Sequence, residues 1–127
     1  MCPERQDVVT IPENERIQPM SIDELPEALT LIAEITKYCT EHGKQGDCEN
    51  CPIALAINTE LYVVGLGDKL EAFVGDAFVR LYRVGSTDMV YTAEMSATDT
   101  EFVTNFDNNR PVRPYTSVFE FKKVPDA

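Results

Sequence analysis

The stretch Ser21-Ile-Asp23-Glu-Leu25-Pro26-Glu27-Ala28-Leu29-Thr-Leu-Ile32-Ala-Glu-Ile35-Thr-Lys-Tyr-Cys39-Thr-Glu-His42-Gly43 reads as an amphipathic helix. Leu25, Ala28, Leu29, Ile32, Ile35 and Cys39 recur at steps of three and four, which lines them along one face of a 3.6-residue period. Ser21 or Asp23 can cap the start. Asp23, Glu24 and Glu27 suit the positive end of the helix dipole, and Pro26 falls in the first turn, where a missing N–H costs little. Gly43 is placed as a left-handed stop, so Cys39 and His42 are expected in the last turn on the core-facing stripe.

Working outward toward the C-terminus, Pro52 opens a second helix with Cys51 in the capping position. The helix carries Ile53, Ala54, Ala56, Ile57 and Leu61 and is expected to end near residues 58–61. Tyr62-Val63-Val64 fits either the end of that helix or the start of a strand. From residue 69 the period becomes two. Leu70–Val74, a Gly75-Asp76 turn of the primed kind and Ala77–Tyr82 make a hairpin, and Met89–Met95 makes a third strand. Thr98-Asp99-Thr100-Glu101 has the spacing of a capping box, ahead of a short helix with Phe102, Val103 and Phe106 on one face and Asn108-Asn109 at its end. Pro111 and Pro114 hold off the last strand until Tyr115. The expectation is an α+β fold in the order ααβββαβ: a four-stranded, mainly antiparallel sheet with helices on one face, forming a single domain over residues 21–124. Residues 1–20, with Pro3, Pro12 and Pro19, read as an extended or disordered arm in which Val8–Ile11 could pair as an edge strand.

The sharpest chemical feature is Cys39-Thr-Glu-His42-Gly-Lys-Gln-Gly-Asp-Cys48-Glu-Asn-Cys51-Pro52, which holds three of the four cysteines and the sole histidine. Cys39 and His42 are three apart, as are Cys48 and Cys51. Four soft or borderline ligands at this spacing could converge on one tetrahedral zinc and clip the two helices together. Packing is the competing reading: Cys39 lies on a buried stripe and His42 near a helix C-terminus, where a cation is welcome. A redox pair is the third, because Cys51 at a helix N-terminus would have a lowered pKa. Asp47 and Glu49 oppose a thiolate there, and the preceding element is a helix instead of a strand. No catalytic constellation emerges. Gly65-Leu-Gly67 lacks the remaining features of a dinucleotide loop, and the arginines of Arg110-Pro-Val-Arg113-Pro-Tyr115 are better read as solvated or paired with acids.

Composition narrows the classes further. A chain of 127 residues can bury a real core, about two-thirds of its unfolded surface. Hydrophobic content of 43% and charged content of 26% are those of a soluble globular protein, and no apolar run approaches membrane-spanning length. The first residues show neither a basic n-region nor an apolar h-region, so an intracellular, reducing setting is expected, in which close cysteines favour metal or redox chemistry over disulfides. Net charge is −11 and uneven. Residues 1–69 carry 13 acids and 5 bases, residues 70–127 carry 9 and 6. That balance speaks against direct binding of nucleic acid and leaves room for an acidic decoy of a nucleic-acid enzyme.

Gly46-Asp-Cys48-Glu-Asn-Cys51-Pro52-Ile-Ala-Leu-Ala-Ile57 resembles the GDCxxCPxALA-type stretch of a group of small bacteriophage and prophage proteins. The ending, Phe102–Asp107 followed by Pro111-Val112-x-Pro114 and an aromatic strand, is similar to theirs. The resemblance implies a phage origin, action in the cytoplasm of a bacterial host, and one undivided domain. It implies no activity. The expected role is a non-enzymatic accessory protein that binds a host or phage protein, with an acidic decoy or a thiol-redox protein using Cys48 and Cys51 as alternatives.

Overall fold

The computed structural model describes residues 25–124. The expectations for residues 1–20, including the Val8–Ile11 strand, lie outside them. The fold is α+β, as expected, with one strand more than the sequence suggested. In chain order the elements are β1 (Ala28–Ile35), α1 (Lys37–His42), α2 (Pro52–Val63), β2 (Leu70–Val74), β3 (Phe78–Arg83), β4 (Met89–Glu94), α3 (Ala97–Asp107) and β5 (Tyr115–Lys123). All strand pairs are antiparallel and the sheet order is β1-β5-β4-β3-β2.

The extra strand replaces most of the expected first helix. Between Ala28 and Ile35 the buried side chains are Leu31, Ala33 and Ile35, while Ala28, Thr30, Ile32 and Glu34 are exposed, a period of two. Two periodicities coexist in this stretch, and the helical one needs Ala28 and Ile32 inside. The strand wins because β5 offers a matching alternation: Leu29, Leu31, Ala33 and Ile35 lie opposite Phe121, Phe119, Ser117 and Tyr115. Thr30, Ile32 and Ile35 are β-branched, and an extended ladder suits them better than a helix does. Helix survives only as α1. Its N-cap is Thr36, whose hydroxyl accepts the Cys39 amide; the expected caps Ser21 and Asp23 lie outside the described residues. Pro26 opens no helix; its carbonyl accepts the Tyr91 hydroxyl at 2.5 Å. Gly43 does end α1, but with φ −67 and not in the left-handed region. Its role is space, since a Cβ there would fall 2.5 Å from Pro52 Cδ.

Helix α2 starts at Pro52 with Cys51 as N-cap, as read from the sequence, and runs through Tyr62 and Val63. It buries Ile53, Ala54, Ala56, Ile57 and Leu61 against the inner face of the sheet and lies against both β1 and β2. Those are opposite edges of the sheet, so the sheet curls around the helix. The inner face adds Leu31, Ala33, Ile35, Leu70, Ala72, Val79, Leu81, Tyr91, Phe119 and Phe121 to one continuous core. The β2–β3 hairpin turns through Asp76 and Ala77, closed by the Gly75 amide on the Phe78 carbonyl at 2.9 Å. No residue of that turn has a positive φ, so it is not of the primed kind. Helix α3 begins two residues earlier than the expected box, with Ser96 and Asp99 capping each other reciprocally.

The β2 edge is closed from within the fold. The Ala72 amide donates to Asn58 Oδ1 of α2 at 2.8 Å, and the Val74 amide to the Cys48 carbonyl at 2.8 Å. Asn58→Ala orphans the Ala72 N–H, and we expect a loss of about 1–3 kcal/mol in chemical denaturation, with faster hydrogen exchange at Ala72. Unchanged stability would mean that water takes over the bond.

Candidate functional site

The cysteine segment forms the corner between α1 and α2. The loop over residues 44–50 is closed on itself by the Lys44 amide donating to the Asn50 carbonyl at 2.9 Å. Asp47 turns it: Oδ1 accepts the amides of Glu49 and Asn50, and Oδ2 accepts the Asn50 side-chain amide. Partial burial alone would raise the Asp47 pKa. The hydrogen bonds from Asn50 and Glu49, with the charge of Lys44, outweigh it and hold the carboxyl below the usual range. Gly46 has φ +68, a conformation that favours glycine, and its amide donates to Asp107 Oδ1 at the end of α3. Gln45 Nε2 reaches Asn109 Oδ1 from the same loop. Gly46 and Asp47 therefore build a turn and dock it on α3.

The four expected ligands take separate roles. Cys39 is buried in the main core, where its sulfur lies 3.4 Å from Thr36 Oγ1. His42 is exposed, stacks on Tyr38 with ring centroids 3.9 Å apart, and places Nδ1 3.0 Å from the Tyr38 carbonyl. Cys48 is disulfide-bonded and belongs to a second apolar cluster with Phe73 and Tyr82. Cys51 is a free thiol in the main core, and its Sγ accepts the Ala54 amide at 3.4 Å. Among the described residues, no group of three or more His, Cys, Asp or Glu side chains is gathered so as to hold a metal ion. A zinc on these four would need the Cys48 bridge reduced and His42 drawn off Tyr38. The disulfide itself departs from the expectation of reduced cysteines, and it does not close the CxxC pair, since Cys39 and Cys51 are both free.

Electrostatics at Cys51 run opposite to those of a reactive thiol. Burial pushes its pKa up to about 11, aided by the charges of Asp107 and Asp47 and against the downward pull of the Ala54 and Ile53 amides. A helix N-terminus lowers a thiol pKa where water or cations support the thiolate, and here the apolar core does not. The group is protonated at neutral pH and acts as the cap of α2.

One buried polar pair was not anticipated from the sequence. Asp99 is 1% exposed and accepts the Tyr115 hydroxyl at 2.5 Å, while its other oxygen accepts the Ser96 amide at 3.1 Å. Burial, then the bond to Asp99, holds the Tyr115 phenol well above the usual tyrosine range. Phe102 packs beside it with ring centroids 5.2 Å apart. The pair fastens α3 to the first residue of β5. The sequence signal was the Ser96-x-x-Asp99 box itself, two residues ahead of the one that was read.

Comparison of the chain with protein-family models, with curated proteins and with solved structures finds no match. No helix among the described residues is long and apolar enough to cross a membrane.

Three outcomes are expected at this corner. In the native, unreduced protein Cys39 and Cys51 resist alkylation; both react once the chain is unfolded, and Cys48 reacts only after reduction. Rapid labelling of native Cys51 would contradict its burial. Tyr115→Phe leaves one Asp99 oxygen without its donor and lowers stability by about 1.5–3 kcal/mol, measured by urea unfolding, with loss of protection in α3. The third outcome is alkaline. The unfolded chain releases the Cys51 proton near the ordinary cysteine value of about 8.5, the folded chain only at about 11. Stability is thus full below about pH 8.5 and falls as pH rises toward 11. Cys51→Ser keeps a capping oxygen without the titration, so the fall between about pH 8.5 and pH 10 disappears in that variant. Equal falls in both proteins would assign the alkaline limb elsewhere. Above about pH 10, Tyr91 and Tyr115, both raised, add to it with the same sign.

Proposed function

We propose that this chain is a phage-encoded accessory protein that works by binding another protein of the phage or its bacterial host. The observation that carries this reading is the outer face of the sheet. Ile32 and Val118 lie directly opposite each other across β1 and β5, 55% and 57% exposed, flanked on the same strands by Thr30, Glu34, Thr116, Glu120 and Lys122. The pair stabilises the sheet by mutual contact and still leaves both side chains more than half exposed. An apolar centre inside a polar rim is the anatomy of a protein-binding surface. The phage origin rests on the resemblance of the Gly46–Ile57 stretch to phage and prophage proteins.

The two alternatives find less support. The acidic side chains of the described residues are spread over β1, α1, α2, β2, β4, α3, β5 and the loops, and no element carries more than the three of α3. A dithiol enzyme would need Cys48 and Cys51 to cycle as a pair, whereas one is bridged elsewhere and the other is a buried, protonated thiol.

The test is co-purification from phage-infected host cells with wild type and Val118→Lys in parallel. Val118 faces outward, so the variant keeps its fold by circular dichroism. A stoichiometric partner recovered with wild type should bind the variant at least about tenfold more weakly, a loss of about 1.4 kcal/mol. A partner held equally by both proteins would remove the face from the reading. Elemental analysis of untagged protein prepared without chelator tests whether a structural zinc accompanies the role.

A further inference from the structure

The two edges of the sheet are finished differently. Each outward amide of β2 is taken: Leu70 donates to the Leu66 carbonyl, Ala72 to Asn58 Oδ1 and Val74 to the Cys48 carbonyl. On β1 the Lys123 amide donates to the Glu27 carbonyl at 2.8 Å, which sets the phase of the ladder. Leu29, Leu31, Ala33 and Ile35 therefore turn their backbone groups toward β5, and Ala28, Thr30, Ile32 and Glu34 turn theirs away. Among the described residues no strand lies beyond β1. Within the described residues, the outward group of β1 that is approached is the Glu34 carbonyl, by the Cys39 thiol at 4.0 Å.

An open edge is normally blunted by proline, a bulge, or inward-facing charge. β1 has none of these. Its register with β5 is unbroken from Ala28 to Ile35, and its outward row up to Ile32 is uncharged.

We propose that β1 pairs antiparallel with β1 of a second copy, about a two-fold axis at Thr30, so that two five-stranded sheets become one. Thr30 then faces the second copy's Thr30, and Ile32 faces the second copy's Ala28, each pair exchanging its N–H···O bonds. The register leaves Glu34 with Cys39. It also sets the two Glu34 side chains about 27 Å apart along the strands, several Debye lengths at physiological salt. A second copy is favoured over a foreign strand because its row is complementary by sequence: threonine meets threonine, small Ala28 accommodates Ile32, and no like charges oppose. The pairing does not depend on the proposed function. It would place the two Ile32–Val118 pairs on one continuous face.

Sedimentation of the full chain at micromolar concentration should give twice the 14.3 kDa chain mass. Denaturation without reductant should return 14.3 kDa, since the association runs through backbone and not through cysteine. Raising the concentration should protect the amides of Thr30 and Ile32 from hydrogen exchange. Thr30→Pro removes an outward N–H that the β1–β5 ladder does not use, so it should give a folded monomer. Thr30→Lys keeps the backbone donor and sets like charges face to face, and should weaken association at least about tenfold. A wild-type monomer throughout the concentration range overturns the proposal, as does a dimer that survives either substitution with native circular dichroism. Val118→Lys leaves the edge intact, so failure of the outer face and failure of the dimer are read separately.

Discussion

Burial of α2 inside the curl of the sheet is the constraint on which the rest of the structure depends. Ile53, Ile57 and Leu61 are fully excluded from water, each contributing about 1.5–3 kcal/mol. The same helix meets both sheet edges, so its position fixes the curvature. It also supplies Asn58 to close the β2 edge. Because one face of the sheet is consumed by this packing, the opposite face and the β1 edge are what the fold can offer to other molecules.

The corner that introduces α2 is built from residues that look chemical and act mechanically. Asp47 closes a turn, Gly46 takes a left-handed conformation, Cys51 caps the helix, and Gly43 makes room for Pro52. Two of these reach α3 or β5: the Gly46 amide donates to Asp107, and Cys51 lies within electrostatic reach of Asp107 and Tyr115, so the corner is tied to α3 and the start of β5. A thiol pushed upward by burial and a carboxylate already paired with a phenol are suited to holding geometry. Neither is presented as the exposed, ionised group that a nucleophile requires.

The contrast between the clusters explains why close spacing in sequence did not become proximity in function. Cys48 precedes α2 by four residues, yet it joins Phe73 and Tyr82, while Cys51 belongs with the main core. Two residues three apart in a turn can face opposite sides of a sheet edge. His42 is kept outside by its stacking on Tyr38.

Wherever one periodicity stood alone, the sequence by itself determined the element: α2 from Pro52, the β2–β3 hairpin, β4, α3 capped by Asn108 and β5 from Tyr115. Pro52 fixes a start and Pro111 and Pro114 delay one, because a missing N–H and a fixed φ act locally. The Cys51 cap was legible for the same reason. Residues 28–35 were not, because Leu25, Ala28, Leu29, Ile32 and Ile35 satisfy a helical stripe while Leu29, Leu31, Ala33 and Ile35 satisfy a strand. Only the presence of β5 as a partner across the ladder chose between them. The candidate site divided along the same line. Turn and cap chemistry is local and could be read, whereas which side chains share a cavity depends on how distant elements pack, and that was decided by the tertiary structure alone.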